Sequence, residues 1–153
     1  MDIFSGKTLT DKKHQTINAE EILRNKVAAL YFSAGWCPPC KQFTPLLAEV
    51  YNELMEKKSP FEIVFVSSDK SVQDMRQYMQ EMHADWPCLP FGDPFISELK
   101  TMYNVKSIPK LVVIKENGEV ITEQGRKEVQ DRGVHCFKNW VQAANIIQNF
   151  TAD

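Results

Sequence analysis

Four cysteines stand at positions 37, 40, 88 and 136, and only Cys37 and Cys40 are close enough along the chain to act together. They bracket two prolines in the run Trp36-Cys37-Pro38-Pro39-Cys40. Two thiols at this spacing suit a dithiol–disulfide cycle or half of a zinc site. Zinc needs four ligands, usually with a second Cys or His pair at similarly tight spacing. Cys88, Cys136, His14, His83 and His135 form no such pair, so redox exchange leads. In that exchange a thiolate attacks a disulfide sulfur, and a second thiol resolves the mixed disulfide. A peroxidase reading of Phe43-Thr44-Pro45 fails, because Leu46 and Leu47 stand where a cysteine is required.

The pair is only as useful as its mounting. Val27 to Phe32 is an unbroken apolar run, too short for a buried helix, and reads as a central strand. Phe43, Leu46, Leu47, Val50, Tyr51 and Leu54 then recur at helical spacing, so a helix runs to about Lys57, with a kink expected at Pro45. The thiols therefore fall where a strand delivers the chain to a helix N-terminus. Free backbone N–H groups and the positive end of the helix dipole favour thiolate there. Such sites lower a cysteine pKa from about 8.5 to roughly 3.5–7.5. Cys37 takes the cap and gains most; Cys40 lies one turn behind it. Pro38 and Pro39 fix the turn and withdraw N–H groups that the helix leaves unpaired anyway.

The remaining elements build a sheet around that junction. Thr8-Leu9-Thr10 and Gln15-Thr16-Ile17 read as an edge hairpin, and Asn18 with Glu21 opens a short helix through Leu23. Phe61 to Val66 is a second buried strand. Ser71 with Asp74 caps a helix whose inner face is Met75, Tyr78, Met79 and Met82. A proline-rich loop from Trp86 to Pro94 leads to a helix near Ile96 to Tyr103. Leu111 to Ile114 is a third strand, turned at Asn117-Gly118 by a two-residue hairpin onto Val120-Ile121. A last helix aligns Phe137, Trp140, Val141, Ala144 and Ile147. The order predicts an α/β fold, a central mixed β-sheet with helices on both faces, as one domain over residues 1–153.

Composition narrows the setting. The 18 Lys and Arg residues nearly balance 20 Asp and Glu, which gives no general pull toward nucleic acid or anionic membrane. No segment reaches the roughly 18 apolar residues of a membrane span. Met1 to Lys7 lacks a secretory pattern, so a reducing cytoplasm is expected, with the nucleus left open. No cofactor is expected. Trp86 and Trp140 read as packing residues, and Trp36 as a substrate-facing surface or a shield for Cys37. Cys88 and Cys136 read as buried thiols, with a regulatory role for Cys88 as the alternative. Glu62 and Asp69 read as surface acids, and Met55, Met75, Met79, Met82 and Met102 as core fillers.

The run Trp36-Cys37-Pro38-Pro39-Cys40 resembles the active-site motif of the tryparedoxin and nucleoredoxin branch of the thioredoxin superfamily. The likeness extends through Ala29 to Ala34, Phe43 to Leu47, Phe61 to Ser67, Leu89-Pro90-Phe91, Tyr103 to Pro109 and Asn117 to Ile121. Gly125-Arg126-Lys127 and the ending Ile146 to Phe150 are most similar to the nucleoredoxin-like proteins. The resemblance implies a thioredoxin-like fold and a protein-disulfide reductase cycling Cys37 and Cys40. It further implies that Pro109 is a cis-proline facing the cysteines, and that Ile108 pairs with an extended substrate chain. From the residues alone, Pro109 is as well read as a plain strand-start proline. Trp36, Pro38, Pro39, Ile108 and Pro109 would then meet substrate. The partners are disulfide-containing proteins and an upstream thiol reductant, with no nucleic acid and no membrane. A redox-sensitive binding or signalling module with little turnover is the alternative. Two departures stand out: Tyr31 occupies the place of thioredoxin's buried acid, and Ser68 precedes Asp69 where trypanosomal tryparedoxins carry Trp.

Overall fold

Alternation along Val27-Ala28-Ala29-Leu30-Tyr31-Phe32-Ser33 divides the molecule into two cores. All seven residues are buried in the computed structural model, which describes residues 2–145. Val27, Ala29 and Tyr31 point into one core, and Ala28, Leu30 and Phe32 into the other. Strand period 2 has this effect when both faces of a sheet are covered.

In chain order the strands are β1 (Thr8–Thr10), β2 (Thr16–Asn18), β3 (Val27–Ser33), β4 (Phe61–Ser67), β5 (Lys110–Ile114) and β6 (Val120–Thr122). The helices are α1 (Ala19–Leu23), α2 (Pro38–Glu56), α3 (Val72–Met82), α4 (Phe95–Met102), α5 (Gly125–Arg132) and α6 (Cys136–Ala144). The main sheet runs β4-β3-β5-β6. β3 pairs parallel with β4, Leu30 opposite Val64, and antiparallel with β5, Leu30 opposite Val112. The fold is thioredoxin-like, a mixed sheet between helical layers. Phe43 and Leu47 of α2, Met75 and Tyr78 of α3 and Trp140 of α6 fill the first core. Leu23 of α1, Phe95 and Leu99 of α4, and Leu9 fill the second.

The caps form as the residue types dictate. The Asn18 side chain accepts the Glu21 N–H at 3.0 Å, and the Ser71 hydroxyl accepts the Asp74 N–H at 3.0 Å. The β1–β2 hairpin joins the main sheet through one residue. Cys88 exchanges backbone bonds of 2.8 and 2.9 Å with Thr10, while its neighbours bond Phe65 of β4.

One turn and one side chain differ from expectation, and one helix is unforeseen. The β5–β6 connection is not a two-residue loop at Asn117-Gly118. Gly118 N–H bonds the Lys115 carbonyl at 2.9 Å, so Glu116 and Asn117 are the central pair and Gly118, at φ +93°, is the bulge that follows. This is the longer hairpin built on a type I turn, and it uses the same Asn-Gly chemistry one position on. Helix α5 has no counterpart in the sequence reading. Gly125-Arg126-Lys127-Glu128-Val129-Gln130-Asp131-Arg132 buries only Gly125 and Val129, too few to show an apolar period. Met102 is half exposed and fills no core. Helix α2 passes through Pro45 as one element. Ile147 and the ending Ile146 to Phe150 lie outside the described residues.

Candidate active site

Strand β3 ends at Ser33, and four residues later Cys37 caps α2. Its backbone is extended, φ −99° and ψ 110°, as an N-cap requires. Cys37 Sγ accepts the Cys40 N–H at 3.3 Å, so a backbone donor points at the sulfur. Pro38 and Pro39 occupy the first two helical positions and are exposed beside it. Both thiols are inside the surface, Cys37 at 4% exposure and Cys40 at 0%. Burial, and then the hydrogen bond to Cys37, push the Cys40 thiol well above the ordinary range.

Across from Cys37 lies the turn before β5. The Ile108–Pro109 peptide bond is cis. The Ile108 carbonyl is 3.9 Å from Cys37 Sγ, with Ile108 half-buried and Pro109 buried. The structure thus brings Cys37, Cys40, Ile108 and Pro109 to one place. Trp36 stands at the rim, 53% exposed. Its indole N–H donates to the Ser68 carbonyl at 3.0 Å, and Lys70 Nζ sits 5.7 Å from the ring centroid. An open groove of about 340 Å³ lies alongside, lined by Gly35, Lys41, Asp74, Gln77 and Glu81.

Two acids expected at the surface are buried. Asp69 is no surface acid: it is 9% exposed and accepts the Gly35 N–H at 2.8 Å and the Ser67 hydroxyl at 2.7 Å. It fastens the turn that carries Trp36 and Cys37 to the end of β4. An acid directly after a buried strand, with a serine two residues before it, was the available signal. Glu62 is likewise buried, accepting the Ile63 N–H at 2.9 Å, and burial raises its pKa. It sits in β4, where both faces of the sheet are covered.

Beneath Cys40, Tyr31 stands in the position of the missing acid. Its hydroxyl is 2.7 Å from Thr44 Oγ1 and 3.4 Å from the Cys40 carbonyl. Thr44 donates to that carbonyl at 2.8 Å and also meets the Tyr78 hydroxyl at 2.7 Å. Tyr78 meets Ser33 Oγ at 2.6 Å. Four hydroxyls from β3, α2 and α3 are therefore connected.

The other singled-out residues serve packing. Trp86 is fully buried, its indole N–H donating to His83 Nδ1 at 3.0 Å, and Trp140 donates to Glu128 at 2.7 Å. Burial pushes the Cys88 thiol up to about 11 and the Cys136 thiol up to about 12, which makes both poor nucleophiles. Among the described residues no group of three or more His, Cys, Asp and Glu side chains is placed to hold a metal. No helix of the described residues is long and apolar enough to cross a membrane.

A mixed sheet that delivers a Cys-Pro-Pro-Cys turn to a helix N-terminus defines a thioredoxin-superfamily scaffold. Residues 25–120 match the family described as Thioredoxin-like, and the chain belongs to that family. It is 32% identical over 160 residues to Nucleoredoxin-like protein 1 of Homo sapiens, covering 97% of this chain and 76% of that one. It spans only 20% of Probable nucleoredoxin 1 of Arabidopsis thaliana and 24% of Nucleoredoxin of Mus musculus. Among solved structures it resembles thioredoxin from Wuchereria bancrofti, with a TM-score of 0.82 and 44% identity over 94% of this chain and 100% of that one. It also resembles tryparedoxin from Trypanosoma brucei, with a TM-score of 0.75 and 35% identity over 87% and 90% of the two chains. Members of the thioredoxin superfamily are thiol oxidoreductases.

Proposed function

We propose that this protein reduces disulfides in other proteins by cycling Cys37 and Cys40 between dithiol and disulfide. The carrying observation is Cys37 Sγ held as the helix cap under the Cys40 N–H, with the Ile108 carbonyl facing it. Cys37 attacks a substrate sulfur; one substrate sulfur leaves as thiolate, and a mixed disulfide joins Cys37 to the other. Cys40 then attacks Cys37 Sγ, the second substrate sulfur departs, and a Cys37–Cys40 disulfide remains. An upstream thiol reductant supplies two electrons to restore the pair.

Substrate enters as an extended chain beside Ile108, pairing with backbone groups there as an added strand would. Trp36, Pro38, Pro39 and Pro109 supply the apolar surround, and cytoplasm supplies the reducing setting. Catalysed reduction of a model protein disulfide by dithiothreitol tests this reading. Wild type should accelerate the reaction and Cys37→Ser should not. Binding without turnover would favour the redox-sensitive docking module instead.

A further inference from the structure

Val72, Met75, Arg76 and Met79 recur at helical spacing, so they share one face of α3. That face meets the β1–β2 hairpin and the loop that carries Cys88 and Phe91, and a cavity of about 150 Å³ lies among the three. Cys37, Cys40 and Ile108 are not among its lining residues. Met75, Met79 and Cys88 are buried against it. Val72 and Phe91, two of the few large apolar side chains left exposed, line it as well. Apolar surface left exposed around a hollow is where ligands bind.

Three properties of the lining select a ligand. The first is size: a cavity of about 150 Å³ holds one benzene ring. The second is sulfur. The thioethers of Met75 and Met79 lie in the buried wall, and thioether sulfur makes favourable contacts with aromatic rings. The third is charge. Lys12 and Arg76 stand there against one acid, Asp11, and His14 adds an imidazole. Asp11 is committed to its own turn, where Oδ1 accepts the Lys13 N–H at 2.8 Å and the Gln15 N–H at 2.9 Å. Lys12 donates to the His83 carbonyl at 2.8 Å, which holds its ammonium in place. Arg76 is exposed, and the ion pairs among the described residues, Lys57–Glu53 and Lys127–Asp131, do not involve it. A guanidinium beside an apolar hollow suits a carboxylate, which its fork of N–H groups can grip with two parallel bonds.

We propose that this cavity binds a small aromatic carboxylate, its ring among Met75, Met79 and Cys88 and its carboxylate on Arg76. The ring displaces water from the apolar wall, and the guanidinium discriminates among rings of different charge. A ligand seated there touches α3 and the hairpin at once, and these segments belong together only in the folded chain. Binding should therefore raise the melting temperature. The site stands apart from the dithiol chemistry: Cys37, Cys40, Ile108 and Pro109 take no part in it.

The test is titration of the full chain, carrying carbon-13 at its methionine methyl groups, with benzoate, benzylamine, benzyl alcohol and acetate. Benzoate should shift the Met75 and Met79 methyl resonances saturably, with a Kd in the millimolar range, and leave Met55 and Met102 in place. Benzylamine should bind about tenfold more weakly for its charge, and acetate about tenfold more weakly for want of a ring. Arg76→Gln should lose about tenfold in benzoate affinity and keep the affinity for benzyl alcohol, because the ring contacts remain. Arg76→Lys should recover part of the loss. Arg76 is exposed, so these variants should fold, and melting curves verify it. Three results would each overturn the site: no saturable shift at Met75 and Met79, benzylamine binding as tightly as benzoate, or unchanged benzoate affinity in Arg76→Gln. A protein that binds benzoate in this way but reduces no disulfide would overturn only the dithiol reading.

Discussion

The Asp69 carboxylate accepts the Gly35 N–H at 2.8 Å, two residues before Cys37. That bond couples the end of β4 to the turn on which the nucleophile stands. Asp69 also accepts from Ser67, whose oxygen in turn receives the Asp69 N–H at 2.9 Å. The reactive turn is thus held from beside the sheet as well as by its own helix.

Replacing Asp69 with Ala should therefore lower both stability and turnover. Hydrogen bonds to charged groups contribute about 1.5–3 kcal/mol each, and Gly35 would be left with a part-buried donor unpaired. Asp69→Asn keeps an acceptor for Gly35 and should retain most of both. Denaturation midpoints and reductase rates on the two variants, measured together, check this.

Gly35 is itself constrained. A Cβ there would meet Tyr78 Cβ at 2.9 Å and Cγ at 3.0 Å, and these atoms sit at the root of a buried side chain. Gly35→Ala should cost about 1–3 kcal/mol through overpacking. It should also displace Trp36 and Tyr78, so activity should fall more than the stability loss explains. Equal stability and activity to wild type would contradict the packing described.

The two thiols should alkylate in order. Cys37 is the more exposed, and Cys40 is fully enclosed with its pKa raised first by burial. Mass-mapped alkylation of the reduced protein should label Cys37 first at neutral pH, with Cys40 following only as the solution becomes strongly alkaline. Earlier labelling of Cys40 would reverse their roles.

His83 should make the fold acid-sensitive. It is buried among Tyr31, Phe65, Tyr78 and Trp86, and its pKa falls from 6.5 to about 3, first through burial and then through Lys12. The folded state resists a proton that the unfolded chain accepts. The folded state is therefore not penalised above pH 6.5, and stability is lost progressively as pH falls from 6.5 toward 3. The loss is up to about 1.4 kcal/mol per pH unit in that window. Urea unfolding across it should show this slope in wild type and a flatter one in His83→Phe.

The elements that carry the site were legible because they are buried on a simple period. β3 and β4 announce themselves as unbroken apolar runs, α2 and α3 as helical stripes, and Asn18 and Ser71 as caps. Cys37 could be placed as a cap from the prolines that follow it. Helix α5 could not, because one buried valine makes no pattern. Asp69 and the four hydroxyls were hidden for another reason: their partners come from distant segments. Thr44 lies one turn beyond Cys40, and Tyr31 and Ser33 alternate on the strand face turned toward α2, so half of the chain was readable in principle. The arrival of Tyr78, 34 residues further along than Thr44, is set by how α3 packs.

The most direct measurement is covalent trapping. Cys40→Ser and Cys37→Ser proteins, each reduced and mixed with a disulfide-bonded model protein, are resolved without reductant and their adducts identified by mass. Attack needs the first thiol and resolution the second. Cys40→Ser should accumulate a mixed disulfide at Cys37, Cys37→Ser should accumulate none, and wild type should pass through it to a Cys37–Cys40 disulfide. Equal trapping by the two variants, or none by Cys40→Ser, would contradict the two-thiol mechanism.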